Sequence, residues 1–352
     1  MEPVKRFPNR GTRGDPESRY ERIHLEVDND TGDGSSRLPT VFYRDTSRTV
    51  LARNDSPDVG FRFSLNPYRG CEHGCIYCYA RPTHEYLSFS AGLDFERRIL
   101  VKHDAPELLR QTFLSPRWQP ALVALSGNTD CYQPIERHLQ LTRRCLAVFR
   151  EFLNPVGIVT KSALVTRDID LLRALAGHGA AHVLVSITSL DGALAHRMEP
   201  RAATPERRLE TVRGLSAAGV PVGVLVAPVI PGLNDEEIPR ILRAAAAAGA
   251  CSASWTLLRL PRPVDELFSH WLAEQFPARR QRVLGRIRQC RGGQLSDARF
   301  GRRMRGEGPY AEHIEALFRT AARRHHLDRP LPVLNASVFH RPRRTAEQCT
   351  LW

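Results

Sequence analysis

The stretch that decides the fold runs from Asn66 to Tyr86 and reads NPYRGCEHGCIYCYARPTHEY. It places Cys71, Cys75 and Cys78 within eight residues and supplies no fourth cysteine. A closed structural metal site takes four ligands, so three thiols in one loop imply a group held with one position left open. Immediately before them, GFRFSL from Gly60 reads as a short strand ended by Pro67 and Gly70. The cysteine loop therefore follows a first strand.

Beyond it a rhythm sets in. Short apolar runs recur as ALVALS (121–126), VGIVTK (156–161), HVLVSITS (182–189), VPVGVLVAPV (220–229) and CSASWTLLRL (251–260). Helical patterns lie between them at 105–114, 135–152, 167–178, 204–219 and 235–249, with Thr204 and Asp235 as N-caps and glycines near three of the ends. Near-continuous apolar strands alternating with helices predict a parallel sheet buried on both faces. With the strand at Gly60 there are six βα units, fewer than the eight of a closed barrel. The expected fold is α/β, a partial, six-stranded parallel βα barrel. Chemistry in such folds sits on loops after the strands, and here those loops are the cysteine loop, GNTDCYQPIE, KSALVTRD, TSLDGALAHRMEPRA and PVIPGLND.

Domain organisation follows. Residues 1–58 read as a largely irregular N-terminal arm and 59–262 as the barrel. Residues 263–340 read as a helical, basic C-terminal extension and 341–352 as a tail. The N-terminus is charged without an apolar run, and no stretch nears the ~18 apolar residues of a membrane span. Five further cysteines, Cys131, Cys145, Cys251, Cys290 and Cys349, are scattered singly, which fits a reducing cytoplasm. The net charge is +13, yet only Lys5, Lys102 and Lys161 among 51 basic residues are lysine. That usage fits a GC-rich genome, so arginine surplus alone does not argue for a polyanion. It makes Lys102 and Lys161 conspicuous, as positions where a compact ammonium works and a broad guanidinium does not.

Two groups could occupy the cysteines. A zinc knuckle completed by His73 or His84 would need a spacing that zinc frameworks do not use. Thiolates this close can instead wrap one face of an iron–sulfur cluster. Three ligands on a four-iron cluster leave one iron for a small chelating molecule.

The C-x3-C-x2-C spacing, Tyr77 before the third cysteine and the partial βα barrel resemble the radical S-adenosylmethionine (SAM) superfamily. The resemblance is nearest to its spore photoproduct lyase-like branch, over about residues 58–260. It rests on GCEHGCIYCYARPTHEY, GNTDCYQPIE, IVTKSALVTRDIDLL, SITSLD, MEPRAATPERRLE and VLVAPVIPGLND. It implies a [4Fe-4S] cluster on Cys71, Cys75 and Cys78 whose open iron is chelated by SAM. It further implies an electron donor, and a 5′-deoxyadenosyl radical that abstracts hydrogen from substrate. Tyr77 and Tyr79 match the branch's paired tyrosines. The branch's radical-quenching cysteine falls at Gly127 here, with Cys131 four residues on. Cys131, Tyr77 and Tyr79 are thus the candidate radical-relay groups.

The resemblance also orders the pocket. Ser126–Asp130 stands where the superfamily holds the SAM ammonium, and Thr129 and Asp130 suit that contact; Asp130 alone could equally cap a helix. Lys161 suits the SAM carboxylate, Ser186 and Thr188 hydroxyl contacts, and Arg201 the carboxylate or a substrate phosphate. Arg167 and Glu199 are read as a pair within the barrel wall.

After Pro261 the rhythm stops. Residues 279–305 carry ten arginines against one acid, Asp297, a candidate phosphate-binding surface or an exposed basic face. The tail Gln348–Trp352 resembles the short peptide by which bacterial repair proteins dock on the DNA sliding clamp, with Cys349 and Trp352 departing from it. The sequence thus predicts a cytoplasmic radical SAM enzyme acting on nucleic acid, a DNA lesion or modified base. The rival substrates are a small molecule, a protein or tRNA, and the rival class is a non-enzymatic metal-binding module.

Overall fold

The computed structural model describes residues 11–12 and 39–342. Its strands are β1 (Val41–Arg44), β2 (Leu51–Arg53), β3 (Phe63–Leu65), β4 (Tyr68–Arg69), β5 (Arg98–Val101), β6 (Val123–Leu125), β7 (Val156–Thr160), β8 (Ala181–Ser186), β9 (Val222–Val229) and β10 (Ser252–Leu257). The helices begin with α1 (Leu93–Arg97), α2 (Ala105–Leu114), α3 (Glu136–Leu139), α4 (Leu141–Phe152), α5 (Ile169–Ala176) and α6 (Gly192–Met198). They continue with α7 (Pro205–Ala217), α8 (Ile238–Ala247), α9 (Val264–Gln275), α10 (Arg280–Gln289) and α11 (Pro309–Arg324). None of the described helices is long and apolar enough to cross a membrane.

The main sheet has the order β10-β9-β8-β7-β6-β3-β2. Six of its strands are parallel, from β3 against β6 (Leu65 opposite Leu125) to β9 against β10 (Val226 opposite Trp255). These are the six expected from the apolar runs. The core is built from Val, Ile and Leu of the strands against α2, α4, α5, α7 and α8.

Three features differ from the sequence reading. The segment taken as an irregular arm contains β1 and β2. β2 extends the main sheet antiparallel to β3, while β1 pairs with β5 in a second sheet of order β1-β5-β4. The helix expected over 135–152 is broken into α3 and α4 by Gln140, whose φ of 51° is left-handed. Thr204 caps α7 through Arg207 N, as expected, but Asp235 does not cap α8; its carboxylate accepts from Gly232 N instead.

The main sheet does not close on itself, and no ladder joins β10 to β2. Residues 301–305 bond to both sides of the gap. Leu257 N donates to Met304 O (2.8 Å) and Arg305 to Trp255 O (2.9 Å). Gly301 N and Arg303 both donate to Asp58, in the turn after β2.

Candidate active site

Two glycines set the shape of the cysteine loop. Gly70 (φ 80°) and Gly74 (φ 67°) lie in the left-handed region, and there is no room beside either. A Cβ on Gly70 would stand 2.9 Å from Phe95 O, and one on Gly74 2.8 Å from Oε2 of Glu96. Arg81 then pins the loop from behind. Its fully buried guanidinium donates twice to Cys75 O and once each to Ala91 O and Gly92 O, besides pairing with Glu96. Glu96 also accepts from Gly11 N, Thr12 N and the Thr12 hydroxyl, so the described N-terminal residues lock onto the same loop.

The three cysteines are in no disulfide and are largely sheltered, Cys71 and Cys75 buried and Cys78 half-buried. Burial pushes the Cys71 thiol well up, and the charges of Asp130, Cys75 and Cys78 push it further. The backbone of Asp130 acts weakly in the opposite direction. Burial followed by the charge of Glu199 raises Cys75. Thiols so desolvated hold a proton unless a cation replaces it.

Two networks flank the loop. In the first, the Asp130 carboxylate accepts from Thr160 Oγ1 (2.8 Å), Lys161 N (2.7 Å) and Tyr132 N (2.9 Å), and His73 Nδ1 lies 3.4 Å away. Burial brings the His73 pKa down to about 4, so the imidazole is neutral. In the second network, the buried Glu199 accepts from the Tyr77 hydroxyl, from Thr188 Oγ1 (2.8 Å) and from Arg208. Burial raises the Glu199 carboxyl, opposed by the Arg208 charge.

Of the pocket residues named from sequence, Asp130 and the Lys161 backbone belong to the first network and Tyr77 and Thr188 to the second. The Thr129 hydroxyl is committed to Tyr68 O, and Arg201 to Glu72 across the cysteine loop. Ser186 is buried on β8. Lys161 has its ammonium 5.8 Å from the Tyr77 ring centre and forms no ion pair among the described residues. Tyr79 lies across the loop, 45% exposed, with its hydroxyl on Gly127 O and the Arg259 guanidinium 4.9 Å over its ring. Cys131 is set apart, fully buried in the main core beside Tyr132 and Cys145.

Other pairings were missed. Arg167 bonds Glu136 and Asp168, not Glu199, whose partner is Arg208. In a chain this rich in arginine, neither Arg81 nor Arg208 stands out from its neighbours.

Whether a single ion or a larger group fits can be tested on these side chains. His84 is turned away, its Nε2 on Arg98 O, and His73 faces Asp130, so neither expected zinc partner completes the three cysteines. No three His, Cys, Asp or Glu side chains among the described residues converge on one ion. A cubane takes one thiolate per iron and needs no such convergence. The donor set fits the cluster.

Comparison with known proteins decides the family. Residues 65–245 match the radical SAM superfamily, about half of the chain. This chain belongs to the radical SAM superfamily. As a member of that superfamily it binds a [4Fe-4S] cluster and SAM. A Mycobacterium tuberculosis protein of uncharacterised function is 38% identical over 219 residues, 62% of this chain and 64% of that one. A similar Methanocaldococcus jannaschii protein is 29% identical over 52% of this chain and 66% of its own length. The mycobacterial match thus spans under two thirds of that relative. In fold, the radical SAM chain is similar to spore photoproduct lyase complexed with dinucleoside spore photoproduct, with a TM-score of 0.58 and 16% identity over 81% of this chain and 79% of the lyase.

Proposed function

We propose that this enzyme applies radical chemistry to a nucleic-acid substrate, a DNA lesion or a modified base. Bound at Cys71, Cys75 and Cys78, the reduced cluster together with SAM supplies a radical able to abstract hydrogen, with electrons from an external donor. The chain's own residues prepare the surroundings. Lys161 offers a free ammonium to the SAM carboxylate, while Asp130 fixes the strand end that carries it. Ser186 and Thr188 are assigned hydroxyl contacts to the same cofactor, and Arg201 its carboxylate or a substrate phosphate. Glu199 holds the Tyr77 hydroxyl, and Tyr79 stands at the rim.

The observation that carries the substrate class is the Tyr79 ring. It follows the third cysteine directly, is partly exposed, and is held by a hydroxyl bond to Gly127 O with Arg259 stacked on it. A fixed aromatic face beside a guanidinium is a stacking platform for a base. The fold likeness to a lyase complexed with dinucleoside spore photoproduct accords with it. Within the fold, Cys131 remains a radical-relay proposal on sequence grounds alone.

One observation favours the rival, a small molecule, protein or tRNA. Much of the arginine block is consumed internally: Arg299 pairs with Asp297 and Glu307, Arg302 with Glu307 and Arg303 with Asp58, while Arg291 is buried. The clamp-binding tail lies outside the described residues.

Formation of 5′-deoxyadenosine by the reduced enzyme, with and without ultraviolet-damaged DNA, separates the readings. Stimulation by damaged DNA supports the proposal. Equal rates across damaged DNA, undamaged DNA and no DNA would favour the rival.

A further inference from the structure

A surface cleft of about 350 Å3 opens between the start of α9 and the segment after α10, lined by Arg262, Asp265, Arg288, Gly293, Gln294 and Ser296. That size is at the lower end of the ~300–1,000 Å3 typical of ligand sites. We infer that it is a phosphodiester subsite for the substrate strand, an inference that rests on the nucleic-acid reading above.

Charge and hydrogen-bonding chemistry select the ligand. Arg262 and Arg288 bring two guanidiniums, whose planar forks suit phosphate oxygens. Arg288 forms no ion pair among the described residues, and the Arg262 contact to Asp265 is loose, at 3.9 Å with the arginine 75% exposed. Asp265, the one acid of the lining, is spent at the start of α9, where its Oδ1 accepts from Glu266 N (3.0 Å). The cleft therefore keeps a net positive charge. Gln294 and Ser296 add neutral donors. At Gly293 (φ 88°) a Cβ would meet nothing within 4 Å, so the backbone there lies open to a close-approaching ligand.

The cleft is fixed relative to the cysteine loop. Leu295, from the cleft, packs on the second core cluster, which also contains Cys75, Ile76 and Tyr77 along with Leu258, Leu260, Val264, Leu284 and Ile287. Arg262 follows the C-terminal end of β10, the strand end at which the fold carries its chemistry. Packing through one apolar cluster holds the anion site and the cluster loop in constant register. A strand gripped at the cleft would be held in fixed relation to the cysteine loop.

The test is fluorescence anisotropy of a short labelled single-stranded DNA on reconstituted enzyme across a sodium chloride series. Wild type, Arg288→Gln, Arg262→Gln and Arg288→Lys are compared, with Arg282→Gln as a charge-matched control outside the cleft. The inference expects Arg288→Gln and Arg262→Gln each to weaken binding roughly 3- to 10-fold and to lower the salt slope by about 0.7 to 1. Arg288→Lys should keep the slope and lose part of the affinity, and Arg282→Gln should stay near wild type. If wild type binds DNA but the cleft variants behave like the control, the cleft is overturned and the nucleic-acid reading stands. If wild type shows no salt-dependent binding, the nucleic-acid reading falls and the inference with it. A loss of binding with unchanged slope and a lowered melting temperature also overturns it, as damage to the fold.

Discussion

Arg81 donates to Oε1 of Glu96 at 2.6 Å, and neither side chain has exposed surface. The pair sits directly behind the cluster loop, because the same guanidinium holds Cys75 O and the same carboxylate holds Gly11 and Thr12. Removing one member of a buried, hydrogen-bonded ion pair leaves the other uncompensated, at a cost of roughly 3–5 kcal/mol. Arg81→Met should therefore lower the urea midpoint of the cluster-free protein by that equivalent and reduce iron uptake on reconstitution. Unchanged iron content in a stably folded Arg81→Met protein would show that the pair does not position the loop.

Gly70 gives a sharper backbone test. At φ 80° a non-glycine residue costs about 1–2 kcal/mol, and the Cβ would also meet Phe95 O, His84 and Ile99. Gly70→Ala should destabilise by more than the dihedral cost alone. Gly285, with nothing within 4 Å of an added Cβ and lying within α10, should gain slightly from Gly285→Ala. Equal effects from the two substitutions, read from denaturant midpoints, would contradict the packing described.

Acid sensitivity should trace in part to His84. Its Nε2 faces Arg98 O and must donate, so a second proton would go to Nδ1, which is buried with no partner among the described residues. Burial accordingly lowers its pKa to about 4 from an ordinary 6.5. Between these values the unfolded chain binds more protons than the folded one. Stability is complete above about pH 6.5 and is lost as pH falls toward 4, by about 3 kcal/mol in all. His84→Gln should be less stable at neutral pH but show a shallower decline over that window. Parallel pH profiles for the two proteins would rule out His84 as a source.

The parallel sheet was legible because its strands are buried on both faces and read as continuous apolar runs, and the cysteine loop because its spacing is unusual. β1 and β2 were not, since VFYR and LAR are too short and mixed to carry a pattern, and β1 is exposed along its length. The break at Gln140 has no glycine or proline to announce it. Asp130 and Lys161 could be placed at strand ends, but that they meet through the Lys161 backbone N–H depends on the third dimension. The buried partners Arg81 and Arg208 carry no local signal, because an arginine committed to a carboxylate looks like any other arginine in this composition. Clustering of arginines after Pro261 was visible, whereas their internal consumption by Asp58, Asp297 and Glu307 was not.

Glu199 joins three donors from separate elements, so its neutral isostere reports on that junction. Glu199→Gln would leave Arg208 buried against an amide and cost roughly 3–5 kcal/mol, with the Tyr77 hydroxyl losing its charged acceptor. The expected outcome is a lower melting temperature together with slower formation of 5′-deoxyadenosine per bound iron. An Arg208→Met, Glu199→Met double variant should recover stability without recovering rate. Recovery of both would make the junction purely structural.

The most direct test of the central claim is anaerobic reconstitution with iron and sulfide followed by dithionite reduction with SAM, measuring 5′-deoxyadenosine for wild type and Cys75→Ala side by side. The account predicts nucleoside from wild type, with about four irons per chain, and none from the variant. Nucleoside formation that survives Cys75→Ala, or a wild type that takes up zinc in place of iron and leaves SAM intact, would contradict it.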